Sequence, residues 1–232
     1  MLLPDLTNMP MADRLEWGAR FVPEEEVGGD YFDAAHLDAN RVAILFADVS
    51  GHGLSAALIT AIIKTTFQSW TERGGTLEEF LCGLNQRLFN LTPMQSFAAV
   101  AAGIFDVSSM EFTYGNCGHN PEPYLIRAAG EQPLALNGAK NMILGALEEI
   151  SPVTAPLQLH PGDTLFFATD GITEASNPYG EEFTTKGLED FLARNRALSV
   201  DEMVQRLIDD VEIHSQNAVE NDDRAVLAFR VR

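Results

Sequence analysis

Aspartate recurs in this chain where an apolar run ends or a glycine pair turns. Asp30 lies in Val27-Gly-Gly-Asp-Tyr-Phe-Asp33. Asp48 ends Val42-Ala-Ile-Leu-Phe-Ala-Asp48 and leads into Val49-Ser-Gly-His-Gly53. Asp170 ends Leu165-Phe-Phe-Ala-Thr-Asp170, just before Gly171, and Asp222 and Asp223 open the last apolar run. A carboxylate at the end of a buried strand is costly to hold unless positive charge meets it. Donors that are all oxygen suit hard cations such as Mg2+ or Mn2+. The pattern points to metal-dependent hydrolysis.

Elements must bring these residues into position. The first fourteen residues are punctuated by proline and weakly patterned, and read as a linker stub (residues 1–14) ahead of one domain (residues 15–232). Leu15–Phe21, Tyr31–His36 and Arg41–Asp48 read as strands. Gly53–Glu72 reads as a helix in which Leu54, Leu58, Ile62 and Thr65 share one face. Thr76 and Glu79 form a capping box for a second helix running to about Leu91. Phe97–Phe105, Met110–Tyr114 and Tyr124–Arg127 read as strands, with a turn at Cys117–Pro121. Val153–Leu159 and Thr164–Thr169 are expected to form a hairpin over His160-Pro-Gly-Asp163. Thr185–Asn195 and Ser199–Gln216 read as helices, the second with a Ser199/Glu202 capping box, and Ala225–Val231 as a closing strand. Strands followed by helix pairs, without strict alternation, indicate an α+β fold of mainly antiparallel sheets with helices outside.

The composition narrows the class. The chain has 232 residues, 46% of them hydrophobic, enough for a full core. Lysine and arginine total 15 against 34 acidic residues, a net charge of −19. A surface this negative repels nucleic acid and anionic lipid and leaves cations welcome. Cys82 and Cys117 are too few for a disulfide framework and read as reduced thiols. No apolar run approaches a membrane span and no signal peptide opens the sequence, so a soluble, cytoplasmic domain is expected.

Taken in order, Val27–Asp33, Ala47–Gly53, Asn116–Pro121, Pro161–Asp163, Thr169–Ala175 and Asp222-Asp223 resemble the motifs of the bacterial SpoIIE/RsbU-like branch of PPM metal-dependent serine/threonine protein phosphatases. The resemblance runs from about Leu15 to Val231. It implies a four-layer αββα sandwich of two mainly antiparallel sheets flanked by helix pairs. It also implies two Mn2+ or Mg2+ ions, with Asp48 bridging them and the Val49 carbonyl on the first. Asp30 would reach that ion directly or through water, and Asp170 and Asp222 would hold the second. Asp223 is adjacent and the register admits it in place of Asp222, which is preferred. Two such ions sharing a water would lower its pKa and yield hydroxide near neutral pH, with no phosphoenzyme. The implied substrate is a phosphorylated STAS-domain protein, such as an anti-sigma factor antagonist in bacterial partner switching. An upstream sensor or receiver domain is expected in the full-length protein, and a homodimer is admitted. A pseudophosphatase that binds without turnover and a small-molecule phosphomonoesterase are the alternatives.

Other residues read as structural. Asp33 is taken as a turn residue, His119 as a loop lock and Glu174 as shaping the loop after Asp170. His52 sits at a different offset from the histidine of eukaryotic members and is read as structural. Gly28 and Gly29 are expected to allow a tight, left-handed turn before Asp30. Gly28-Gly-Asp-Tyr-Phe32 also resembles the diguanylate cyclase signature, but Tyr31 replaces its acidic residue. The chain departs from the resembled family where Arg224-Ala225 stands in place of the usual x-Thr and where Phe183-Thr184 stands in place of the usual Phe-Gly. The lost hydroxyl at Ala225 is expected to weaken support behind the Asp222 ligand.

Overall fold

The computed structural model describes residues 6–24, 29–49, 51, 53–92, 96–130, 132–216 and 222–232. Val27, Gly28, Ser50 and His52, named above, lie outside these, as does the side chain of Leu54. The chain forms two compact units, each assembled from separate stretches of sequence.

The first unit comprises Met1–Met11, Val27–His119 and Asn137–Leu159. Its sheet contains β2 (Tyr31–His36), β3 (Arg41–Val49), β4 (Ala98–Asp106), β5 (Glu111–Cys117), β8 (Lys140–Asn141) and β9 (Ala155–Gln158). The order is β2-β3-β4-β5-β8, with β9 also paired to β5; the short β5–β8 ladder is parallel and the others antiparallel. Helices α1 (Gly53–Arg73) and α2 (Leu77–Leu91) cover one face. The α2 capping box of Thr76 and Glu79 is formed as the sequence predicts. Alternate β3 residues Ala43, Leu45, Ala47 and Val49 join Ala56, Ile59, Ile63, Phe67 and Trp70 of α1 in a buried cluster.

That is not the α1 face expected from the sequence. Leu58 is 61% exposed and Thr65 is exposed, while Ile62 is only partly buried. The helix is apolar on two sides, so spacings of three and four fit two registers equally well. The aromatic residues near its C-terminus accompany the face actually buried. The Trp70 ring lies 4.6 Å from that of Phe80 on α2, and Phe67 lies 5.7 Å from it.

The second unit comprises Ala12–Glu26, Asn120–Leu136 and His160–Arg232. Its sheet is wholly antiparallel, in the order β1-β11-β10-β6-β7. These strands are β1 (Leu15–Val22), β6 (Tyr124–Ile126), β7 (Leu134–Ala135), β10 (Thr164–Ala168) and β11 (Arg224–Val231). A single-turn helix α3 (Asp170–Thr173) follows β10, and α4 (Thr184–Asn195) and α5 (Val200–Ser215) form the helix pair. Leu188, Phe191, Met203, Val204 and Leu207 bury the inner faces of that pair with Phe166, Val226 and Ala228 of the sheet. Ser199 and Glu202 form the second predicted capping box. The α+β class, with two mainly antiparallel sheets and helix pairs, is as expected.

The predicted hairpin does not form. β9 pairs with β5 in the first unit, whereas β10 lies between β11 and β6 in the second. The intervening turn is real, with the Asp163 amide donating to the His160 carbonyl at 3.0 Å. It carries the chain from one sheet to the other, and a turn signal alone cannot say which strands it joins. Asp163 is buried, accepts Arg127 Nη1 at 2.7 Å and takes the amides of Ala128 and His160. Of the residues in the stub, Met9 and Met11 are buried.

Thr184, where glycine is usual in the resembled family, has φ +68°. A β-branched residue in the left-handed region is strained, at about 1–2 kcal/mol. Its Oγ1 accepts the Gly187 amide at 3.2 Å, which returns a few tenths of that. Thr184→Gly is therefore expected to raise stability by about 0.5–1 kcal/mol and the melting temperature by about 1–4 °C. Thr184→Ala, which keeps the strain and loses the cap, should lower both. Calorimetry of the two variants checks this, and a glycine variant less stable than the parent would contradict it.

Candidate metal centre

In the first unit the chain reaches Asp30 immediately before β2, and Asp48 and Val49 end β3. The ladder pairs Phe32 with Phe46 and Tyr31 with Ala47. Carried one step further, that register sets Asp30 beside Asp48. Asp30 is 6% exposed and Asp48 half-buried. Gly29 is held by close approach rather than by a left-handed turn: a Cβ there would lie 2.8 Å from the Val49 carbonyl oxygen. The Thr60 hydroxyl of α1 donates to the Gly29 carbonyl at 3.3 Å. The helix after Asp48 is thereby tied to the segment before Asp30.

Asp33 is not in a turn. It lies inside β2 opposite Leu45, accepts the Tyr31 hydroxyl at 2.5 Å and the Ala34 amide at 2.9 Å, and is 8% exposed. Lys64 of α1 sits 6.0 Å from the Tyr31 ring centre. Burial is the largest influence on Asp33 and raises its pKa. The buried His119 is fixed through its backbone. Asn116 Nδ2 donates to its carbonyl at 3.0 Å and Asn116 Oδ1 accepts its amide at 2.8 Å, while the His119 ring meets the Phe46 ring edge-on.

In the second unit Asp170 begins α3, and Asp222 and Asp223 precede β11. Burial first, then the charges of Asp222 and Glu174, push the Asp170 carboxyl up to about 6. Burial also raises Asp222, which is the more exposed of the adjacent pair. Asp223 is buried, and its Oδ1 accepts the Glu24 amide at 2.9 Å. Gly171 lets these strand ends meet, since a Cβ there would lie 2.0 Å from the Asp223 carbonyl oxygen.

Sequence reasoning missed Thr169. Its Oγ1 accepts the Ala225 amide at 3.0 Å and donates to the Asp223 carbonyl at 3.3 Å. Its own amide donates to the Ala225 carbonyl at 3.1 Å. A hydroxyl just after β10 therefore braces the Asp222-Asp223 segment, although residue 225 has none. The only signal was Thr169 preceding Asp170.

The structure thus brings Asp30 together with Asp48 and Val49 in one unit, and Asp170 together with Asp222 in the other. Among the described residues, no three His, Cys, Asp or Glu side chains form a group able to hold an ion by themselves. The donors are nonetheless of one kind, carboxylate and carbonyl oxygen, and Asp170 is destabilised by neighbouring negative charge. That chemistry fits a hard divalent cation.

A pH dependence follows. A carboxyl whose pKa is raised on folding lowers stability above that pKa, and the penalty disappears as pH falls through about 6 toward the ordinary value. Asp170→Asn is expected to stabilise the metal-free protein at pH 7 by about 1 kcal/mol, after allowance for solvent screening of a half-buried group. The advantage should vanish near pH 4 and reverse when Mn2+ is added, because only the parent gains the ion. Thermal melts across pH, with and without metal, measure this. A variant less stable than the metal-free parent at pH 7 would contradict it.

The profile of the family described as Stage II sporulation protein E (SpoIIE) matches residues 38–232. Phosphoserine phosphatase RsbU of Bacillus subtilis is 26% identical over 97% of this chain and 65% of its own length. The chain therefore spans just under two thirds of that relative. Among solved structures, the RsbU and RsbW domains of Rv1364c from Mycobacterium tuberculosis align with TM-score 0.78 and 27% identity, over 94% of this chain and 60% of that one. The SiaA-PP2C domain of Pseudomonas aeruginosa aligns with TM-score 0.82 and 19% identity, over 93% of this chain and 86% of that one. The catalytic domain of the serine threonine protein phosphatase PstP, solved with 2 manganese ions, shares the fold with TM-score 0.66 and 15% identity, over 94% and 98% of the two chains. The chain belongs to the SpoIIE family.

Proposed function

We propose that this chain is a Mn2+- or Mg2+-dependent phosphatase domain that hydrolyses phosphoserine or phosphothreonine on a protein. The observation that carries the reading is the placement of Asp30, Asp48, Asp170 and Asp222 at the ends of β-strands, the last three of them within the residues that match the SpoIIE family. Asp48, the Val49 carbonyl and Asp30 would hold an ion in the first unit, and Asp170 and Asp222 would hold one in the second, all through oxygen donors. Asp222 is favoured over Asp223, because the latter is buried and takes up the Glu24 amide. When bound, the ions supply a water deprotonated near neutral pH and positive charge against the phosphoryl oxygens.

The protein's own part is to hold these carboxylates and to keep other nucleophiles out. Thr169 braces the Asp222-Asp223 segment, and Gly29 keeps the Asp30 segment against the Val49 carbonyl. Neither cysteine is a rival nucleophile. Burial pushes the Cys117 thiol up to about 12 and also raises Cys82, so neither is a ready thiolate. The proposed substrate is a phosphorylated STAS-domain protein in a partner-switching pathway. Support comes from RsbU, named a phosphoserine phosphatase, and from the RsbU and RsbW domains joined in one mycobacterial protein. Among the described residues no helix is long and apolar enough to cross a membrane.

Hydrolysis of p-nitrophenyl phosphate and of a phosphorylated STAS protein should require Mn2+ or Mg2+. Asp48→Asn and Asp170→Asn should each lower kcat/KM by about 100-fold or more while the fold is retained. Unchanged activity in both variants would contradict the mechanism. Metal binding without turnover of any substrate would select a binding module. Small phosphomonoesters preferred over the phosphoprotein by orders of magnitude would select a metabolite phosphatase.

A further inference from the structure

Beside Asp222 the second unit encloses a cavity of about 240 Å³, lined in part by Glu174, Ser176, Glu182, Ser215, Asp222 and Arg224. Its wall is a built loop. Ser176 and Glu182 form an isolated antiparallel bridge. Within that bridge, Asn177 Oδ1 accepts the Tyr179 amide at 2.9 Å and the Glu181 amide at 3.0 Å. His214 of α5 meets the Glu181 carbonyl through Nε2 at 3.0 Å and the Phe183 ring edge-on, so the loop is fastened to the helix behind it.

The charges around the cavity are unevenly placed. Arg224, the single cation among the described lining residues, is 4% exposed, whereas Glu174, Glu182 and Asp222 are exposed. Glu174 and Glu182 lie outside the ligand set proposed above, so they remain open to a ligand when Asp222 holds an ion. A space this size admits one long side chain rather than a folded partner. The rim favours a cationic group, with the Ser176 hydroxyl as a further acceptor. The net charge of −19 draws basic sequence toward it.

We infer that this cavity is a specificity site that receives a lysine or arginine side chain flanking the phosphorylated serine or threonine of the substrate, gripped by Glu174 and Glu182. The inference rests on the proposed phosphatase reading, but its test does not need turnover. Fluorescent peptides carrying a non-hydrolysable phosphonate analogue of phosphoserine, with lysine, alanine or glutamate placed at successive flanking positions, are titrated with the full chain in Mn2+ and in its absence. Lysine at one favoured position should tighten binding roughly fivefold over alanine, and glutamate there should weaken it. The difference should shrink in high salt. In Glu174→Gln/Glu182→Gln the lysine and alanine peptides should bind alike, in Mn2+ and in its absence. Equal affinity for all peptides in the parent would overturn the inference, as would a lysine preference that survives in the double variant or a preference for glutamate. Parallel p-nitrophenyl phosphate assays separate the two readings: failure there with the lysine preference intact removes the phosphatase and leaves the recognition site.

Discussion

Negative charge gathered at the ends of strands is the constraint on which this structure turns. Asp170 is half-buried and sits within the fields of Asp222 and Glu174, so its ionised form is disfavoured by its own surroundings. Proteins seldom keep such an arrangement for stability, because a protonated or amide side chain would sit there more comfortably. A divalent cation reverses the balance by turning mutual repulsion into shared attraction. Fold and function meet at that point, since the strand ladders make the crowding unavoidable.

The same device appears in both units. In the first, the β2–β3 register sets the residue before one strand beside the end of the next. In the second, β10 and β11 are neighbours, so the residue after β10 and those before β11 emerge side by side. A glycine follows or precedes the aspartate in each case and lets backbone approach to a distance that a side chain would forbid. Hydroxyls then fasten what the glycines allow. Thr60 ties α1 to the Asp30 segment, and Thr169 ties the turn after β10 to the Asp223 carbonyl.

Much of this was legible in the sequence, and the failures have physical causes. Both capping boxes were read correctly because a cap is a local pattern of four residues. Asp48 and Asp170 stood out because each ends an apolar run, and burial of β3 and β10 follows from those runs. The buried face of α1 was misread because Ile62 and Ile63 are adjacent and periodicity alone cannot rank two apolar faces. The hairpin over His160–Asp163 was misread because strand pairing is decided across the fold, not by the turn. The brace from Thr169 was invisible because its partner, Ala225, announces itself only through a backbone amide.

At Arg224-Ala225 the Thr169 hydroxyl accepts the Ala225 amide, and the arginine lines the cavity beside Asp222. Everything still depends on whether cations occupy the carboxylates. Anomalous diffraction from crystals grown in Mn2+ measures that directly. Two manganese peaks are predicted, one within coordination distance of Asp30, Asp48 and the Val49 carbonyl and one within coordination distance of Asp170 and Asp222. Saturating manganese with no anomalous density at Asp48 or Asp170 would contradict the account.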